Sequence, residues 1–289
     1  MPQIRFATAS IHPGLHEDDH PLLDELRRRG VTFDCGIWDD ASVGWSSAQV
    51  TMIRSTWDYH RRRDAFVAWA ARAGAATRLF NPPAVIAWNT AKSYLRALAS
   101  EGVPTVPTAW VAQGERADLK AIVRERGWET VVVKPVVSAG AFATIKAERG
   151  ELARAQAHLD ELTAREAAMV QPYLRTVEDH GERSMLFLDG VLSHAVRKQP
   201  AFRPKTAEGD PVTFSDAEAE AAKAVLAAAA RLVPEARDPL YARVDIVPDQ
   251  SGRLVLMELE MTEPTLFLRE GGAPAVARLA DGLLRRLRG

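Results

Sequence analysis

Leu240-Tyr241-Ala242-Arg243-Val244-Asp245-Ile246-Val247, then the break from Pro248 to Gly252, then Arg253-Leu254-Val255-Leu256-Met257-Glu258-Leu259-Glu260-Met261 read as two strands of one hairpin. Side chains on a strand alternate between faces, so Glu258 and Glu260 share one face while Met257 and Leu259 share the other. Arg243 and Asp245 share a face for the same reason. Once the hairpin folds, three carboxylates converge, and such charges repel one another unless a cation sits between them. Magnesium prefers hard oxygen ligands and completes its shell with substrate phosphates, so the cluster points to a nucleotide. Taken alone, the same pattern also describes a solvated acidic face of an antiparallel sheet.

Outward from the hairpin, Val131-Val132-Val133-Lys134-Pro135 ends an apolar strand on a lysine, which cannot be buried comfortably without an anionic partner such as phosphate. The small residues that follow, Ser138 to Thr144, include Ser138, Ala139 and Gly140, and their backbone N–H groups can approach phosphate oxygens. With one glycine, this loop also reads as an ordinary turn. Val170-Gln171-Pro172-Tyr173-Leu174 ends a further strand, and Glu178 and Glu182 follow in a polar connection. Such a hinge can offer backbone groups to an adenine edge and a carboxylate to ribose hydroxyls, or it can be a plain connection.

The remaining chain frames these segments. Ile4 to Thr8, Val31 to Trp38 and Gln49 to Ser55 read as strands, separated by a helix that Pro21 starts and Gly30 can end. A helix over Asp64 to Ala73, closed by Gly74, completes a small parallel α/β unit. A boundary near Phe80 precedes a helix over Thr90 to Ser100. Three regions follow: 1–80, an N-terminal parallel α/β domain; 81–174, a central lobe carrying the small-residue loop; and 175–289, a lobe carrying the acidic hairpin. In the middle, the spacing predicts helices over Ala117 to Arg126 and Glu151 to Ala164, and strands over Thr130 to Pro135 and Ala168 to Tyr173. Asp189-Gly190 joins Ser184 to Leu188 and Val191 to Val196 as a hairpin. Ser215 with Glu218 forms a capping box for an alanine-rich helix to about Leu232, and Ala275 to Arg288 forms the last helix.

Composition narrows the function classes. Of 289 residues, 47% are apolar and 26% charged, the balance of a soluble globular protein, and 37 basic against 38 acidic residues leave no field that would gather nucleic acid or anionic lipid. The most apolar helix is interrupted by Glu220, Lys223 and Arg231, so no membrane span is expected, and Met1 to Ser10 lacks the pattern of a signal peptide. Cys35 stands alone, which excludes an internal disulfide and matches a reducing, cytoplasmic setting. It reads as a buried, inert strand residue. No Gly-x-Gly-x-x-Gly follows Ile4 to Thr8, which speaks against a nicotinamide enzyme. Pro13 and Gly14 keep His12, His16 and His20 off a single helix, so they are read as loop and cap residues or as residues lining the acceptor site. Arg54, Asp58 and Tyr59 follow the third strand, where open parallel sheets present ligand-binding loops, and they suit a charged amino-acid-like substrate. An ion pair between Arg54 and Asp58 is the structural alternative. Lys198 and Arg203 are further substrate candidates.

The order of these parts resembles the ATP-grasp superfamily, specifically its carboxylate–amine ligases related to glutathione synthetase and D-alanine–D-alanine ligase, over nearly the whole chain. The resemblance implies an ATP-grasp fold of class α/β, with an N-terminal pre-ATP-grasp domain followed by two α+β lobes clasping ATP. It places Lys92 and Lys134 on ATP phosphates, Ser138 to Ala143 in a flexible lid, Gln171, Tyr173 and Leu174 at adenine, and Glu182 on ribose, with Glu178 as a competitor. Asp245, Glu258 and Glu260 fall on the positions that hold Mg2+ (or Mn2+), as two ions. The thirteen-residue step from Asp245 to Glu258 is typical of these ligases. Arg243 stabilises the transferring phosphoryl group, and Arg197 offsets negative charge. One departure is Glu260, where many such ligases carry asparagine.

Arg54-Ser55-Thr56-Trp57-Asp58-Tyr59, Trp88-Asn89-Thr90-Ala91-Lys92, Ser193-His194-Ala195-Val196-Arg197-Lys198 and Met257-Glu258-Leu259-Glu260 resemble the group containing the cyclo-ligase of D-cycloserine biosynthesis, which closes O-ureido-D-serine. Phe202-Arg203-Pro204-Lys205 departs from that group's pattern. The implied chemistry is activation of a carboxylate as an acylphosphate, displaced by an amine-type nucleophile within the same molecule or from a second one. Addition of amino acids to a peptide or protein C-terminus is the alternative within ligases, and an ATP-binding sensor or scaffold is the alternative outside enzymes. Oligomeric state, homodimer or higher, stays open.

Overall fold

A computed structural model of the chain describes residues 1–199 and 209–288. The first layer is built from β1 (Ile4–Thr8), α1 (His20–Arg28), β2 (Phe33–Ile37), β3 (Val50–Ile53), α2 (Arg63–Ala76) and β4 (Arg78–Phe80). Its four strands are all parallel, in the order β2-β1-β3-β4. Because such a sheet is covered on both faces, its strands are nearly continuous apolar runs. Leu22 and Leu26 pack on one face with Ile4, Phe6 and Met52, while Phe66, Trp69 and Trp38 cover Ala7 and Ile53 on the other. The tryptophans Trp38, Trp45 and Trp69 are packing residues, stacked edge to face within that second cluster. Gly74 does not end α2. A Cβ there would lie 2.3 Å from Pro83 Cγ, so the glycine permits a close helix contact.

The helix expected over Thr90 to Ser100 is α4 (Tyr94–Ser100), which starts four residues later, and a second short helix, α3 (Pro83–Asn89), precedes it. The break between them lets the Lys92 N–H reach the Val136 carbonyl, 2.9 Å away. The second layer contains β5 (Ala109–Val111), α5 (Leu119–Arg126), β6 (Thr130–Pro135), β7 (Ile145–Glu148), α6 (Leu152–Thr163) and β8 (Ala168–Pro172), with strand order β5-β8-β6-β7 and all pairs antiparallel. Asp118 caps α5 through the N–H groups of Lys120 and Ala121, and α5 and α6 close one apolar cluster with Val131, Val133 and Val170.

The third layer follows α7 (Thr176–Asp179). It holds β9 (Glu182–Leu188), β10 (Val191–Lys198), β11 (Gly209–Val212), α8 (Asp216–Leu232), β12 (Tyr241–Pro248) and β13 (Leu254–Glu260), in strand order β11-β10-β9-β12-β13. Asp189 and Gly190 both take positive φ, 56° and 73°, as a tight two-residue hairpin turn requires. The Ser215–Glu218 capping box starts α8, which packs Ala222, Val225 and Ala229 on Val244, Ile246 and Leu259. The last helix, α9 (Leu268–Arg288), begins earlier than expected and is broken at Gly272, whose φ of 64° is not helical. Leu279 and Leu283 of α9 join Ile4 and Leu22, so the C-terminus returns to the first sheet. Among the described residues no helix is long and apolar enough to cross a membrane. Cys35 is half-buried rather than buried, and burial next to Asp34 pushes its thiol up to about 11.

Candidate active site

The site gathers side chains from β10, β9, β12 and β13 of one sheet, from β6 of another, and from Lys92 just before α4. Antiparallel pairing sets Asp245 opposite Glu258 and Arg243 opposite Glu260, with an irregularity immediately after Asp245. One oxygen from each of Asp245, Glu258 and Glu260 lies within 4.8 Å of the others. The expected convergence of the three carboxylates is therefore a feature of the fold.

Four cations surround them. Arg243 donates to both Asp245 oxygens, at 3.0 and 3.2 Å from Nε, and to the Glu260 carboxylate. Lys198 Nζ lies 2.8 Å from Asp245 Oδ2 and 2.5 Å from Glu182 Oε1. Lys92 Nζ donates to Glu258 Oε1 at 2.7 Å and to the Ser138 carbonyl at 3.0 Å, which ties the start of the small-residue loop to the acidic hairpin. Ser184 Oγ completes the shell of the fully buried Asp245 at 2.7 Å. The Lys134 side chain makes no hydrogen bond or ion pair with a described residue, although its backbone lies in the β6–β8 ladder. Burial pushes its ammonium down to about 8, against the attraction of Glu258 and helped by Lys92.

The carboxylates respond unequally. Burial favours the neutral form of Asp245, but Arg243 and Lys198 outweigh it and hold the group well below the usual carboxylate range. Glu258 is also held down, by Lys92 and Lys134 against burial. Glu260 is pushed up to about 7, chiefly by burial, with Glu258 and Asp245 repelling its charge against the pull of Arg243. Three oxygen donors that cannot all ionise comfortably in one place match a hard divalent cation, which removes the repulsion and adds no soft-ligand requirement. The residues present therefore fit Mg2+.

On the far side of Lys134, Gln171 Nε2 donates to Thr108 Oγ1 at 2.9 Å, and Leu174 is buried with Val106, Val177, Val247 and Val255. The Tyr173 hydroxyl donates to Glu178 at 2.9 Å, and the Lys146 ammonium sits 3.8 Å from the centre of the Tyr173 ring. These residues set an apolar cluster beside polar groups where β8 ends. Glu182 stands on the carboxylate side with Lys198, whereas Glu178 stands on the Tyr173 side. Ser138 is buried at the start of the loop, and Gly140, Ala141 and Ala143 all take positive φ. Phe142 is half exposed there and meets the His60 ring at 4.8 Å.

Several expected residues stand elsewhere. Arg197 lies on the face of β10 opposite Lys198, and its guanidinium donates to the Asp179 and His180 carbonyls at 2.7 and 3.0 Å. It braces the end of α7 and is not brought to the carboxylates. Arg54 is fully buried and pairs with Asp19 at 2.6 Å, not with Asp58. Asp58 accepts from the Trp38 indole at 2.9 Å inside the first layer. Tyr59 is buried near Glu263, Glu260 and Glu258, and burial together with these charges keeps its hydroxyl protonated. Arg203 lies outside the described residues. His16 caps the turn before α1 through Asp18 N, while His12, His16 and Trp57 pack together. Lys146, Ser184 and Glu263 were not expected in or beside the site. Lys146 sits on a four-residue strand with no alternation to mark it, and Glu263 lies beyond the strand that carries the other acids.

Residues 4–81 match the family described as the N-terminal domain of D-cycloserine synthetase DcsG. The cycloserine biosynthesis protein DcsG of Streptomyces lavendulae is 32% identical over 302 residues, covering 99% of each chain. The crystal structure of D-cycloserine synthetase DcsG superposes with a TM-score of 0.90 at 30% identity, over 98% of this chain and 99% of that one. At the level of the fold alone, D-alanine–D-alanine ligase from Bacillus anthracis complexed with ATP gives 0.69 at 12% identity, over 100% and 98% of the two chains. The ATP-grasp ligase PsnB, complexed with minimal precursor, Mg and ADP, gives 0.66 at 18% identity, over 99% of both.

Proposed function

Because the chain belongs to the D-cycloserine synthetase family of ATP-grasp ligases, we propose that it activates the carboxylate of a small amino-acid-like molecule with MgATP and closes that molecule into a ring. It is an ATP-dependent ligase that forms C–N bonds. The observation that carries the proposal is the meeting of Asp245, Glu258 and Glu260 with Lys92, Lys198 and Arg243 beside an unpaired Lys134. Such a set can hold a divalent cation and a polyphosphate together.

In this reading Asp245, Glu258 and Glu260 hold two Mg2+ ions, with Mn2+ as a substitute. Bound there, the metal supplies charge neutralisation and Lewis acidity at the phosphates. Lys134 and Lys92 orient the β- and γ-phosphates, the loop from Ser138 to Ala143 covers them, and Gln171, Tyr173 and Leu174 border adenine. Glu182 takes the ribose hydroxyls from the carboxylate side. The substrate carboxylate attacks the γ-phosphorus and ADP leaves, giving an acylphosphate. A nitrogen of the same molecule then attacks the acyl carbon, phosphate leaves with the bonding electrons, and the proton that the nitrogen sheds passes to the departing phosphate or to solvent. Arg243 lies where negative charge grows in both steps, so its contribution is preorganised electrostatic stabilisation. No side-chain nucleophile is required.

Incubating the purified protein with ATP, Mg2+ and a panel of amino acids headed by O-ureido-D-serine tests this. The expected result is stoichiometric ADP, phosphate and a cyclic product with one D-amino acid. AMP as product, or turnover only with peptide C-termini, contradicts it.

A further inference from the structure

Beyond β13 the chain runs Met261-Thr262-Glu263-Pro264-Thr265, and its main chain is held at every residue by a side chain from elsewhere. Asn89 Oδ1 accepts from Met261 N at 2.6 Å, and Asn81 Nδ2 donates to the Met261 carbonyl at 2.6 Å. The Tyr241 hydroxyl approaches the Thr262 carbonyl at 2.9 Å, and Trp57 Nε1 donates to the Glu263 carbonyl at 2.9 Å. Arg54 Nη2 donates to the Pro264 carbonyl at 2.9 Å, and Arg243 Nη1 to the Thr265 carbonyl at 3.3 Å. A segment fixed this thoroughly displays its side chains with little freedom.

The carboxylate of Glu263 is the exception to this pairing. It is 6% exposed and makes no hydrogen bond or ion pair with any described residue. Burial, then repulsion from Glu260, pushes it up to about 8. A carboxyl group buried to this extent without a protein partner costs the fold free energy, and in native chains such groups are met by ordered water, an ion or a ligand. The nearby cations are already committed: Arg243 to Asp245 and Glu260, Lys92 to Glu258 and the Ser138 carbonyl. The neighbours that feel Glu263 include Tyr59, on the loop that follows β3. Glu263 thus stands between the cluster where the carboxylate is activated and the N-terminal layer that has no role yet in the chemistry.

We propose that Glu263 binds the α-ammonium of the amino-acid substrate and so sets which end of that molecule reaches the metal-bound phosphate. This assignment rests on the ligase reading above. An ammonium supplies the missing positive charge and up to three donors, and its distance from the carboxyl being activated is short and constant in any α-amino acid. A site built to pair a buried charge rejects the analogue lacking the partner, because the charge is then left bare.

The experiment compares wild type with Glu263→Gln on the amino acid that releases ADP most rapidly in the panel, beginning with O-ureido-D-serine, and on its des-amino counterpart, 3-(ureidooxy)propanoate. For wild type, kcat/KM favours the amino acid by about 10²-fold or more. In Glu263→Gln that preference falls below about tenfold through a raised KM for the amino acid, with the KM for ATP and the Mg2+ requirement unchanged. The Tm of the unliganded variant stays close to that of wild type at neutral pH, since glutamine keeps the shape of a carboxyl group that burial already pushes up to about 8. A preference retained by the variant, or equal use of both compounds by wild type, overturns the assignment while leaving the ligase reading intact. A raised Mg2+ requirement with the preference retained makes Glu263 a metal ligand and overturns it equally. A lowered Tm with unchanged preference gives it a structural role. If wild type releases ADP with no amino acid, the ligase reading falls and takes this assignment with it.

Discussion

Glu258→Gln lowers kcat/KM for ATP-dependent turnover by about 10²–10³-fold, the loss expected when one oriented charge is removed from a transition-state site. The substitution keeps the size and hydrogen-bonding shape of the side chain but removes the charge that Lys92 contacts at 2.7 Å and that holds Lys134 in range. Glu258 also lies opposite Asp245 in the hairpin register, so its oxygens help define where a cation between the strands can sit. The Mg2+ concentration for half-maximal rate rises at the same time, which separates loss of a metal ligand from loss of a purely structural pair. Steady-state kinetics across a Mg2+ titration, with circular dichroism on the same preparation, check both. An unchanged Mg2+ concentration for half-maximal rate removes Glu258 from the metal site.

Arg243→Met is expected to damage both stability and rate. Arg243 is 6% exposed and neutralises Asp245 and Glu260 together, and burial does not stop those charges from raising its own pKa. With the guanidinium gone, Asp245 retains Lys198 and Ser184, but Glu260 loses the ion pair it makes. Breaking a buried pair from one side costs about 3–5 kcal/mol. For a chain of this size that corresponds to a Tm lower by about 5–8 °C. MgADP should restore part of the loss by binding the folded state alone and neutralising the abandoned carboxylates. The chemical step stays about 10²-fold or more below wild type even when MgADP-type protection shows the fold intact. Differential scanning fluorimetry with and without MgADP, beside single-turnover kinetics, distinguishes the two effects. Full activity in a folded Arg243→Met variant contradicts a role in charge stabilisation.

The hairpin was legible because its information is local. Two-residue alternation and a five-residue break from Pro248 to Gly252 suffice to bring Asp245, Glu258 and Glu260 together, and the observed register pairs Asp245 with Glu258. Lys134 and the loop after it were legible for the same reason. Arg197 and Lys198 show where locality ends: alternation says that they face opposite ways, but which one meets Asp245 depends on how β10 pairs with β9, including an irregularity between Leu192 and His194. Arg54 finds Asp19 across 35 positions of sequence, and no spacing rule selects that partner over Asp58. Glu263 lies past the end of its strand, and its burial depends on Asn81, Asn89, Trp57 and Arg54 holding the backbone from three other segments. The short strands β4, β5 and β7 carry three or four residues each, too few to show a period. The break in α9 at Gly272 and the return of that helix to the first layer are likewise consequences of tertiary packing.

The central claim is that this chain makes an acylphosphate from the substrate's own carboxylate, and an isotope tests it directly. A substrate that supports turnover is labelled with 18O in its carboxylate and carried to completion with ATP and Mg2+, and the released phosphate is analysed by mass spectrometry. Transfer of one 18O atom from the carboxylate to inorganic phosphate, with ADP formed in equal amount, is the predicted result. Unlabelled phosphate alongside cyclic product would contradict the account, because the carboxylate oxygen would then never have been bonded to phosphorus.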